Sequence, residues 1–128
     1  MNNVIEKNEF DEVVSIIETR KRNAYVKVNE ELINMYWDVG KYVSEKVNNS
    51  LWGSKTVQKL ADYIKTKYPN LSGFDRTGIY RMKQFYEMYY DDEIVAPLVR
   101  QISWSNNLLI MSRTKSNEER EFYIKRRY

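Results

Sequence analysis

The sequence predicts an all-α protein. Apolar residues recur three or four apart through most of its 128 residues, and strand-like alternation is confined to a few positions around Ile94 to Val99. Side chains that start helices, Asp75, Ser103 and Ser116, each stand just ahead of such a periodic stretch. The expected architecture is a long N-terminal helix packed with a helix-turn-helix unit and followed by short C-terminal helices.

The first helix is marked by Val13, Ile17, Ala24, Val28, Leu32, Tyr36, Val39, Val43 and Val47. Asn8 is its expected cap, with Asp11 facing the free amides of the first turn, and residues 1–8 are expected to be flexible. Asn48, Asn49 and Ser50 mark the stop. A helix of about 40 residues is roughly 60 Å long at 1.5 Å per residue. At that length it leans on another long helix, pairs with a second copy, or breaks. The absence of apolar residues between Ile17 and Ala24 marks Arg20–Asn23 as the place for a break. Near its end, Trp37 is expected in the core, and Gly40 is expected where a second helix comes close, since glycine costs about 1 kcal/mol in a helix without such a reason.

The second helix starts at Ser54, carries Val57, Leu60, Ala61, Ile64 and Tyr68 on one stripe, and is stopped by Pro69. The segment from Pro69 to Gly73 reads as a turn. Asp75 then caps a third helix running to about Tyr90, with Phe74 and Ile79 at the two positions of a hydrophobic staple. Gly78, Met82, Phe85 and Tyr89 centre its buried face. Pro97 opens a short helical turn, Ser103 caps the helix carrying Trp104, Leu108, Leu109 and Met111, and Ser116 with Glu119 forms a capping box for the last helix. That helix reaches Tyr128 without a terminating residue, and the chain is therefore expected to be a domain over residues 9–128, cut before a further domain.

Composition narrows the function. With no cysteine and no histidine, disulfides, thiolate chemistry, imidazole-based catalysis and histidine-ligated zinc are all excluded. No apolar run approaches the ~18 residues that span a bilayer, and a cytoplasmic protein without a membrane partner is expected. The carboxylate clusters Asp91–Glu93 and Glu118–Glu121 point in several directions from their backbones, and the second is explained by capping. Neither makes a metal or catalytic site, and no cofactor is expected.

Positive charge is local. Between Ser54 and Lys83 seven basic residues face two acidic ones, an excess of five in a chain whose net charge is +3. On the third helix Arg76, Thr77, Tyr80, Lys83 and Gln84 lie opposite the apolar stripe, with Arg81 on a flank. Arginine reaches guanine edges and glutamine adenine edges, while Lys55, Lys59 and Lys83 neutralise phosphates. Thr77 suits a phosphate contact, and Tyr80 a phosphate contact or stacking on an unpaired base. Free amides at the helix start add a further anion site. These eight residues form the expected DNA-binding face. The alternative is a protein-interaction domain without nucleic-acid contact, in which the long first helix is the seam of a homodimer and the basic face is merely solvated.

The run Met35 to Gly40 (MYWDVG), Trp52-Gly53, the run Leu71 to Tyr86 (LSGFDRTGIYRMKQFY), Gln101 to Trp104 (QISW) and Glu118 to Tyr123 (EEREFY), in this order, resemble the N-terminal domain of the YhcG family. The resemblance covers roughly Val28 to Tyr123. It implies a bacterial protein in which a helical DNA-binding or assembly domain precedes a nuclease domain of the PDDEXK superfamily, and it places no catalytic residue on this segment. The family often has serine where Asp75 stands and histidine where Asn106 and Asn107 stand.

Overall fold

The computed structural model describes the backbone of residues 3–127 and the side chains of residues 6–126. Part of the expected flexible stretch, residues 1–8, lies outside these, as does Tyr128. Six helices follow one another: α1 (Asn3–Asn48), α2 (Ser54–Lys67), α3 (Arg76–Tyr89), α4 (Ala96–Val99), α5 (Trp104–Arg113) and α6 (Asn117–Arg127). No strand occurs among the described residues.

The C-terminal half of α1 and the whole of α3 form the spine. At one end α2 closes a small cluster of Val43, Val57, Ala61 and Ile79. At the other, α4, α5 and α6 close a larger one in which Ile33, Trp37, Phe85 and Tyr89 meet Val99, Ile102, Ile110 and Ile124. Gly40 lies at the crossing of α1 and α3, where a methyl group would press into the Met82 carbonyl. The expected close approach is therefore real. Burial pushes the Tyr89 phenol up to about 12, ahead of the smaller opposing influence of Arg120, so it stays neutral at ordinary pH.

The caps follow the residues that announce them. The Asp75 carboxylate accepts from Gly78 N at 2.7 Å, Ser103 Oγ from Asn106 N at 3.2 Å, and Ser116 Oγ from Glu119 N at 3.1 Å. Phe74, just before the Asp75 cap, is buried and lies against Tyr36. Beyond α1, Ser50 adopts the left-handed conformation (φ 60°) while Leu51 N and Trp52 N donate back to the Lys46 carbonyl. Asn107 is fully buried and donates to the carbonyls of Val99, Ile102 and Ser103, tying the end of α4 to α5. Its place is thus structural.

Three expectations for the helices are corrected. Helix α1 starts at Asn3, so Asn8 lies within it and is not its cap; nothing between Asn3 and Asn8 is a glycine or proline that would stop it. The same helix passes through Arg20–Asn23 without a break, because Arg20, Lys21 and Arg22 are good helix formers whose charges stay in solvent. Tyr68 lies past the end of α2 at its C-cap and is exposed, so it does not join the α2 stripe.

Candidate nucleic-acid interface

Helix α3 turns its apolar side, Ile79, Met82, Phe85 and Tyr89, onto α1 and the core. That choice sends the remaining side chains outward. Arg76, Thr77, Arg81 and Gln84 are exposed; Tyr80 and Lys83 are half-buried. The stripe read from the sequence is therefore the solvent stripe.

These residues line two adjoining clefts. The first, of about 510 Å³, is bounded by Arg76, Thr77, Tyr80, Arg81 and Gln84 of α3, by Ser54 of α2, and by Leu108, Met111 and Ser112 of α5. The second, of about 570 Å³, runs from Tyr80, Lys83, Gln84, Glu87 and Met88 to Asp91, Asn117 and Arg120. Tyr80 and Gln84 stand on the ridge shared by both. Lys55 and Lys59 are exposed on α2 but line neither cleft.

The charges are not equally free. Lys83 Nζ pairs with Glu87 Oε1 one turn on, and Glu87 also accepts from Asn48 Nδ2 at 3.5 Å. Its positive charge is largely spent within the fold. Arg76, Arg81, Lys55 and Lys59 form no ion pair among the described residues. At the α3 N-terminus the Asp75 carboxylate accepts from the Gly78 amide, which places a negative charge at that end of the helix. Arg120 is the residue that sequence reading missed. It stands among three glutamates, Glu118, Glu119 and Glu121, and looks locally neutralised, yet α6 carries it to the wall facing Lys83. Its guanidinium is held by Asn117 Oδ1 at 2.6 Å and Thr114 Oγ1 at 3.5 Å.

The connection from α2 to α3 spans residues 68–75, longer than the three or four residues of a tight helix-turn-helix. Helices α5 and α6 also rise beside α3, so its outward face is the floor of a cleft as much as a protruding edge. No group of three or more carboxylates that could hold a metal occurs among the described residues, and no described helix is long and apolar enough to cross a membrane.

No curated protein and no solved structure matches the chain. The family model of the DUF1016 N-terminal domain matches residues 12–128, which span every motif that resembles the YhcG family. That domain is an accessory domain associated with the PDDEXK nuclease superfamily and is not the catalytic nuclease domain. The chain belongs to the DUF1016 N-terminal domain family.

Proposed function

We propose that this domain binds DNA along the outward face of α3 and so directs a nuclease domain that follows it in the same protein. The observation that carries the reading is the pair of exposed arginines, Arg76 and Arg81, free of carboxylate partners on the wall of one cleft. Arginine donates in a planar fork that matches phosphate oxygens. Arg120 adds a guanidinium to the second cleft, where Glu87 and Asp91 offset part of the positive charge, and Thr77 adds a neutral donor to the first. In this reading Gln84 and Tyr80, which line both clefts, meet base edges or base faces. Lys55 and Lys59 supply a diffuse field from α2, and Lys83 contributes least because Glu87 holds it.

The test is a duplex and single-strand titration at two salt concentrations. Wild type is expected to bind more weakly as salt rises, since each neutralised phosphate releases counterions. Reversing both arginines (Arg76→Glu with Arg81→Glu) is expected to weaken binding by tenfold or more at low salt and to flatten the salt dependence, with helical content unchanged. Lys83→Ala is expected to cost less than either arginine alone. Affinity unchanged in the double reversal would remove α3 as the contact face.

A further inference from the structure

The N-terminal part of α1 leaves the body of the domain. From Lys7 to Val28 every side chain is exposed, and contact with the body begins at Asn29. This arm is nevertheless not a polar helix. Phe10, Val14, Ile17, Ala24, Val28 and Leu32 fall on one stripe, with Phe10 64 %, Ile17 48 % and Val28 57 % exposed. Further along α1, the same stripe becomes Val39, Val43 and Val47, which pack on α2 and α3. One apolar seam thus runs the length of the helix and is covered only in its second half. The arm also contains Val13, Val14, Ile16, Ile17 and Thr19 in one short stretch, and β-branched residues are poor helix formers without packing.

Charge identifies what covers it. Residues 6–18 hold five carboxylates and one lysine, whereas residues 20–27 hold four basic residues and no acidic one. None of these charges is in an ion pair among the described residues. The arm is therefore complementary to itself when reversed, and repels itself when set side by side in the same direction.

We infer that two copies of this chain pair through residues 6–28 as an antiparallel two-helix seam about a two-fold axis near Ile17. That axis sets Ile17 against its own copy and Phe10 against Ala24, a large side chain against a small one. It lays the acidic block of each arm along the basic block of the other. The exposed stretch agrees independently: residues 7–28 are all exposed and centre beside Ile17, so the seam uses the arm and stops short of either body. Lys21 interrupts the seam and, with its stem along Val13 of the other copy, favours one register over its neighbours.

The absence of cysteine makes the orientation directly readable. Sedimentation equilibrium of the 128-residue chain at micromolar concentration is expected to give twice 15.5 kDa, weakening with salt. Ile17→Asp with Val28→Asp is expected to give the single-chain mass with the body still folded, since both sites are exposed. Under mild oxidation Ile17→Cys is expected to cross-link to itself. Phe10→Cys is expected to cross-link with Ala24→Cys when the two are mixed, and neither alone. A wild-type mass of one chain overturns the inference and leaves the seam to another segment or protein. Self-cross-linking of Phe10→Cys as efficient as the mixed product overturns the antiparallel pairing. Neither result bears on α3 and DNA.

Discussion

Replacing Phe85 with alanine is expected to cost about 3–5 kcal/mol, the range for removing a large aromatic side chain from a packed core. Phe85 is fully buried. Its ring meets Trp37 of α1 at 5.5 Å, Tyr89 one turn along α3 at 5.5 Å and Trp104 of α5 at 5.1 Å, all close to edge-on. Such geometry sets the positive edge of one ring on the negative face of the next, adding to the area it buries. Its ring partners lie on α1 and α5 as well as on its own helix, so the surroundings have little freedom to collapse into the gap. Against a net stability of about 5–15 kcal/mol for a domain, the loss is a large share. Urea unfolding checks it: the midpoint is expected to fall sharply with the slope unchanged. A loss under about 1 kcal/mol would mean that α5 does not rest on this ring.

Gly40→Ala tests the spine itself, and two effects of opposite sign compete there. Within a helix, alanine is favoured over glycine by about 1 kcal/mol. At this crossing, however, the added methyl would meet the Met82 carbonyl oxygen and lie 2.6 Å from its carbon and 3.2 Å from Lys83 N. These are backbone atoms of α3, which cannot swing aside as a side chain tip can. Helices α1 and α3 must separate, and forced overpacking of this kind costs about 1–3 kcal/mol or more. The expected outcome is a net loss of up to about 2 kcal/mol, read by thermal or urea unfolding. Stabilisation by the variant would mean that the two helices do not approach this closely.

Both residues were legible before any coordinates, and so was the outward face of α3, because they depend on local chemistry. Period and caps place α3 with Asp75 at its start, and a helix with one apolar side has only one side left for solvent. What sequence could not show depended on distance in the fold. The apolar stripe of α1 carries the same kind of signal at Ile17 and at Val43, yet Val43 is 1 % exposed and Ile17 48 %. Periodicity says that a face will be covered without saying by which molecule. The continuity of α1 through Arg20–Asn23 was hidden likewise, since missing apolar residues can mean a break or an arm in water. Arg120 escaped because its neighbours in sequence are glutamates, while its neighbours across the cleft are α3 side chains. Lys83 is the converse case. Glu87, one turn along the same helix, was readable as a partner at the favoured spacing, and it takes up the charge.

The central claim, that α3 presents its outward face to DNA, is tested most directly by amide chemical shifts during titration with a short oligonucleotide. Shifts are expected to concentrate on residues 76–84 and around Arg120, and to shrink as salt is raised. Shifts confined to the basic stretch 20–27 of α1, or none at a concentration that saturates binding, would contradict the claim.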